Sequence, residues 1–184
     1  MVPPLDPAAE NERRVNIVQG EQRVSGDRSV VLTTLLGSCV SACMRDPIAG
    51  VGGLNHFLLP GDRPGAGASM SHGVHAMELL VNALLCQGAR RERLEAKLFG
   101  GANLMRSLTD VGAMNAAFAE DFLRREGIKH TGGSLRGARG RRIQFWPVSG
   151  RARQVWMQSE EVLPLVVERR SPRQAVVSGA LELF

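Results

Sequence analysis

The run Ser29–Leu36 (SVVLTTLL) constrains this chain more than any other stretch. It is apolar and β-branched, with the composition and length of a buried strand. Gly37-Ser38 breaks the run, and Val40–Met44 resumes an extended pattern directly after Cys39. Asp46-Pro47-Ile48-Ala49-Gly50 is a turn by its own chemistry. Val51–Leu58 (VGGLNHFL) then reads as a third strand, closed by Pro60-Gly61. The expectation is an antiparallel meander of three successive strands at the front of the fold.

Around this meander the pattern is mixed. Residues 1–14 read as a loose arm and Val15–Val24 as an opening strand. Gly61–Gly73 is a Gly/Pro/Ser loop suited to a rim or lid. Val74–Gln87 has Val74, Met77, Val81 and Leu84 at helical spacing, and Gly88 ends it. Leu94–Phe99 reads as a strand running into Gly100-Gly101. A second helix is expected near Val111–Glu126, capped by Asp110, with Val111, Met114, Phe118 and Phe122 as its buried stripe. Ile128–Gly133, Arg141–Trp146 and Arg151–Met157 read as short strands, the last two joined through Pro147–Gly150. With no internal repeat, the chain is expected to hold one domain (15–158) and a C-terminal tail (159–184). The expected fold is α+β, a layered sandwich of mostly antiparallel sheet with two main helices.

Composition narrows the function. None of the 184 residues lies in an apolar run near the roughly 20 residues that span a bilayer. The N-terminus lacks the apolar centre of a secretory signal, so a cytoplasmic protein without membrane insertion is expected. The net charge of +5 is carried almost wholly by arginine, most densely in Arg136–Arg142. Without a single tyrosine to stack on bases, nucleic-acid binding is disfavoured, and a solvated hairpin or a docking surface for an acidic protein is expected there. Three cysteines, Cys39, Cys43 and Cys86, are too few for a disulfide framework and lack zinc-site spacing. His72 and His75 have no third ligand spaced to join them. Neither metal nor cofactor is expected.

One constellation can carry chemistry. Gly37-Ser38-Cys39 sets a thiol on a tight turn, where the side chain projects and backbone N–H groups leave the ladder, as at a nucleophile elbow. Asn55-His56 lies on a strand from which the imidazole can reach Cys39. Thr33, six residues before Cys39, is placed to orient the base through its hydroxyl or its backbone carbonyl. A thiol, a base and a group holding that base form the layout of thiol acyl-transfer enzymes, with histidine stabilising the thiolate as an ion pair. Spacing alone leaves open that Cys39 and His56 are simply packed residues.

The motifs TLLGSC (Thr34–Cys39), RDP (Arg45–Pro47), GGLNHFLLP (Gly52–Pro60), AMELLVNALL (Ala76–Leu85) and FGGANLM (Phe99–Met105) resemble those of the CheD family of chemoreceptor glutamine deamidases. The resemblance runs from about Val15 to Met157, with the blocks in the family's order. It implies Cys39 as nucleophile, His56 as base and Thr33 as the upstream threonine. Backbone amides near Ser38–Cys39 would hold the oxyanion, with Gly37, Ser38 and Asn55 around the oxyanion site and cleft. It also implies a layered α/β/α sandwich like the catalytic domain of cytotoxic necrotizing factor toxins. The implied substrates are glutamine side chains on chemoreceptor cytoplasmic domains. A CheC-type phosphatase is an implied partner, with an adaptor role or receptor methyl-ester hydrolysis as alternatives, and a monomer is expected.

Overall fold

Asp46 closes the first hairpin with its own side chain. Its Oδ1 accepts from the N–H groups of Ile48 (2.9 Å) and Ala49 (3.0 Å), while Gly50 takes the left-handed φ of 66° that the return requires. The strands so joined are β4 (Val40–Asp46) and β5 (Val51–Asn55), paired antiparallel. The computed structural model describes residues 12–59, 66–104 and 110–157. The expected tail and nearly all of the expected arm lie outside these residues.

Two sheets organise the chain. β4 and β5 lie in a five-stranded sheet of order β2-β5-β4-β6-β7, built with β2 (Gln22–Ser25), β6 (Glu95–Gly100) and β7 (Lys129–Leu135). The second sheet, of order β1-β3-β8-β9, holds β1 (Arg13–Asn16), β3 (Val30–Leu36), β8 (Arg141–Phe145) and β9 (Ala152–Trp156). Among the described residues only β1–β3 and β6–β7 pair in parallel. The expected three-strand meander is therefore divided. β3 sits in one sheet and the β4–β5 hairpin in the other, so the chain changes sheets at Gly37-Ser38-Cys39. The expected opening strand is likewise two strands, split by a turn at Val18–Glu21 where Gly20 has φ 89°.

Both helices cover one face of the five-stranded sheet. Helix α1 (Ala66–Cys86) starts eight residues before the expected Val74, absorbing much of the anticipated loop. Gly73 marks the reason for small residues there: a Cβ would lie 2.5 Å from Leu59 Cδ2 and 2.7 Å from the Phe118 ring. Helix α2 (Val111–Arg125) is capped as expected, Asp110 accepting from the Ala113 N–H at 2.9 Å. Its buried face is Asn115, Ala116, Phe118, Ala119, Phe122 and Leu123, while Met114 is exposed. Small alanines let this face approach the sheet, and the stripe is turned by about one residue from the expected one.

The result is the mixed α+β sandwich expected from the sequence, its layers running helices, five-stranded sheet, four-stranded sheet. One core, with Met77, Leu80, Leu84 and Phe122 against Val40, Ala42 and Met44, lies under the helices. The other, with Leu32, Leu36, Ile143 and Phe145 against Cys39, Cys43, Leu54 and Phe99, lies between the sheets. The arginine stretch does not form the expected hairpin. Residues 136–140 carry the chain from β7 in one sheet to β8 in the other. Arg136 pairs with Glu120 (3.1 and 2.7 Å), and Arg141 is fully buried, its guanidinium taken by the carbonyls of Ser134, Arg136 and Arg139.

Candidate active site

The turn between β3 and β4 is pinned from one side. The carbonyl of Gly37 accepts from Ala102 N–H (2.9 Å), that of Ser38 from the Asn115 side-chain amide (2.8 Å), and that of Cys39 from Gly101 N–H (2.7 Å). A trans peptide is planar, with its N–H opposed to its C=O. The N–H groups of Ser38 and Cys39 are therefore aimed away from these three partners. The next peptide obeys the same logic, since Val40 N–H donates to Phe57 O at 3.0 Å. Gly100 permits the close fit: its φ is 109°, and a Cβ there would stand 2.1 Å from the Cys39 carbonyl oxygen.

Register decides which side chains share the space between the sheets. Val40 and Phe57 form an antiparallel bridge, exchanging both hydrogen bonds (3.0 and 2.9 Å). Cys39 and His56, one residue to the same side of that pair in sequence, then point to the same sheet face as diagonal neighbours. Val40 and Phe57 point the other way, into the core under the helices. Cys39 and His56 are each 7% exposed.

His56 is held by Thr34. Thr34 Oγ1 lies 2.9 Å from His56 Nδ1 and donates to the Ile17 carbonyl at 2.7 Å. A hydroxyl has one hydrogen, and here Ile17 takes it, so Oγ1 must accept from Nδ1–H. The tautomer follows: Nδ1 carries the proton and Nε2 keeps a lone pair. Nε2 is buried and has no hydrogen-bond partner among the described residues. Burial pushes the His56 pKa down to about 4, against the opposing pull of the Ile17 carbonyl. Burial therefore favours the neutral imidazole and opposes the ion pair expected from the sequence.

Thr33 does not present its hydroxyl to His56. Side chains alternate along β3, so Thr33 faces away from Thr34, and it pairs in register with Gln144 of β8. Its carbonyl accepts the Ile17 N–H at 2.8 Å. Asn55 is also committed elsewhere. Its Oδ1 accepts from Ala42 N–H (2.9 Å) and its Nδ2 donates to Ala76 O (3.1 Å), so it ties β5 to β4 and α1 and faces away from His56. Gly37 and Ser38 form the turn that carries Cys39, their carbonyls held by Ala102 and Asn115; Ser38 Oγ is buried without a partner among the described residues.

Two residues near the site escaped the sequence reading. The Cys39 thiol donates to Gln19 Oε1 at 3.3 Å, across the turn that splits the opening strand. Gly20 inside an apolar alternation was the available signal for that turn. Asn115 is fully buried, donates to the Ser38 carbonyl and accepts from Leu59 N–H at 2.7 Å, so it links the turn to the segment after His56. An amide on the apolar stripe of a helix is its signal.

The remaining candidates lie apart from this cluster. Cys43 is buried between the sheets, its thiol pushed up to about 12 by burial, and Cys86 is exposed on α1. His72 and His75 are exposed on α1. Trp146 donates to Glu12 (2.8 Å) with Arg151 over its ring, and Trp156 sits under Arg139 and Arg141. A Cβ on Gly133 would meet the Leu98 carbonyl at 1.9 Å, which makes this glycine a strand-packing position.

Residues 58–156 match the family model described as CheD chemotactic sensory transduction. The chain belongs to the CheD family. It is 58% identical over 190 residues to a probable chemoreceptor glutamine deamidase CheD of Acidiphilium cryptum, covering all of both chains. Similar proteins with the same name occur in Rhizobium rhizogenes (54% identity, 94% of this chain and 96% of the relative) and a Caulobacter species (54%, 93% of each). A solved Neisseria meningitidis structure of the DUF152 family model overlays 68% of this chain and 64% of its own, at 11% identity and TM-score 0.49. Among the described residues no helix is long and apolar enough to cross a membrane.

Proposed function

We propose that this chain is a chemoreceptor glutamine deamidase, a hydrolase converting glutamine side chains of receptor cytoplasmic domains to glutamate and ammonia in chemotactic adaptation. The observation that carries the reading is the Thr34–His56 bond, which leaves an Nε2 lone pair without a partner among the described residues, on the sheet face shared with Cys39. A neutral base beside a protonated thiol suits attack with concurrent proton transfer.

Cys39 Sγ bonds to the substrate's amide carbon while its proton passes to His56 Nε2 and the carbonyl electrons move to oxygen. The N–H groups of Ser38 and Cys39, fixed by their pinned carbonyls, stabilise that oxyanion. The carbon–nitrogen bond then breaks, and the His56 proton leaves with ammonia. Water, deprotonated by His56, hydrolyses the thioester to release glutamate and restore the thiol. Thr34 keeps the imidazole in the required tautomer throughout.

The test is incubation with a receptor cytoplasmic fragment, followed by peptide mass analysis. Wild type should convert specific glutamines to glutamates, and Cys39→Ala should convert none. Equal conversion by both proteins sinks the assignment, and loss of methyl esters without loss of amides makes the enzyme an esterase.

A further inference from the structure

Gln19 is a surface glutamine whose carboxamide reaches the nucleophile. Its exposure contrasts with how firmly its backbone is held. Glu21 N–H donates to Val18 O (3.0 Å), and Glu21 Oε2 accepts from Val18 N–H (3.1 Å). Gly20 N–H donates to His56 O (2.7 Å), and His56 N–H donates to Glu21 O (2.9 Å). The turn is thus built onto the backbone of the residue read above as the general base, and from it Gln19 Oε1 meets Cys39 Sγ at 3.3 Å.

We propose that Gln19 is a further catalytic residue, whose carboxamide holds the thiol at rest and donates an N–H to the oxyanion during turnover. The inference rests on the Cys39 deamidase reading. A carboxamide has an acceptor and a donor end, and its terminal torsion is broad, so modest rotation exchanges one for the other. At rest the thiol has a proton and the acceptor end faces it. Once that proton passes to His56, Oε1 would confront a thiolate, and the Nε2–H₂ end becomes the favoured one. The oxyanion forms on the carbon bonded to sulfur, within the reach of a donor that already touches sulfur.

A rival reading makes Gln19 the enzyme's own substrate. The hydrogen bond argues against it: donors approach a carbonyl oxygen near the amide plane, whereas nucleophilic attack on carbon needs approach across that plane. A thiol bonded to Oε1 addresses the oxygen of the carboxamide and not its carbon.

Gln19→Met and Gln19→Glu keep the side chain's length and remove its N–H donors. Each should lower kcat for receptor-fragment deamidation by about 100-fold, with KM nearly unchanged, because the oxyanion exists only after attack. Alkylation of Cys39 by iodoacetamide forms no oxyanion and should fall far less. A thermal melt matching wild type establishes that each variant is folded, as expected for an exposed turn residue. Wild-type kcat in either variant overturns the proposal, as does loss of turnover and alkylation in equal proportion. Finding Glu at position 19 of the purified wild-type protein, but not of Cys39→Ala, also overturns it, since Gln19 would then be a substrate. Turnover by Cys39→Ala would instead remove the reading beneath; an inert Cys39→Ala beside a fully active Gln19→Met removes this inference alone.

Discussion

Thr34 Oγ1 stands 2.9 Å from His56 Nδ1 and gives its only proton to the Ile17 carbonyl, so this one hydroxyl fixes both the orientation and the tautomer of the imidazole. The bond spans the two sheets, Thr34 on β3 and His56 just beyond β5.

Thr34→Val should therefore cost more than its shape implies. It removes the acceptor for Nδ1–H and lets the ring turn or change tautomer. Deamidation kcat should drop about tenfold or more, the equivalent of a lost hydrogen bond of ~1.4 kcal/mol. Thr33→Val, on the opposite face of the same strand, should leave kcat within about twofold, well inside the effect of one hydrogen bond. Steady-state rates of the two variants check the assignment, and a reversed order would return the orienting role to Thr33.

The depressed His56 pKa has a sign that stability measurements can read. Between pH 6.5 and about 4 the unfolded chain binds a proton at this residue and the folded chain does not. Stability from His56 is complete above pH 6.5 and declines as pH falls towards 4, by up to ~3 kcal/mol at about 1.4 kcal/mol per unit. Urea midpoints of wild type and His56→Gln should converge on acidification across this window. In the same experiment series, the acid limb of kcat/KM should fall near pH 4 and not near the usual histidine value.

Asn115→Ala strips a buried partner from both the Ser38 carbonyl and the Leu59 N–H. Two unsatisfied buried groups at about 1–3 kcal/mol each predict a destabilisation of ~2–6 kcal/mol, read from urea unfolding. Because the Ser38 carbonyl sets the direction of the Cys39 N–H, folded Asn115→Ala should also lose kcat at substrate saturation. An unchanged kcat would show that the turn holds its shape without α2.

The three thiols should separate under native alkylation at mildly alkaline pH. Cys86 is exposed and should react readily, and Cys39 should react from its site. Cys43, buried and pushed up to about 12, should stay unmodified until denaturant is added. Peptide mapping of labelled protein gives the order, and native labelling of Cys43 would contradict the burial that sets it.

The sequence carried the chemistry of the site further than its geometry. Cys39 after Gly37-Ser38 and His56 in the following apolar strand were legible, because glycine and small residues announce a turn and motif spacing limits the partners. Thr33 and Thr34 were not separable by the same means: adjacent strand residues differ only in which face they occupy, and that depends on which sheet receives the strand. The break into two sheets left no mark, since an apolar β-branched run reads alike beside either neighbour. Gln19 was hidden because a polar residue in a turn needs no explanation until a distant thiol is set against it. Asn115 lay one residue from the expected stripe, and its partners arrive from segments 56 and 77 residues away.

Strand β3 enters the four-stranded sheet between β1 and β8, and β8 is made about a hundred residues later in the chain. The threonine that governs the histidine is therefore seated only when nearly the whole domain has been synthesised and the two sheets have closed on each other. A nascent chain already contains the thiol and the imidazole, yet has no fixed imidazole tautomer to use. The fixed tautomer is thus a property of the closed tertiary structure, since it needs a hydroxyl from one sheet and an imidazole from the other.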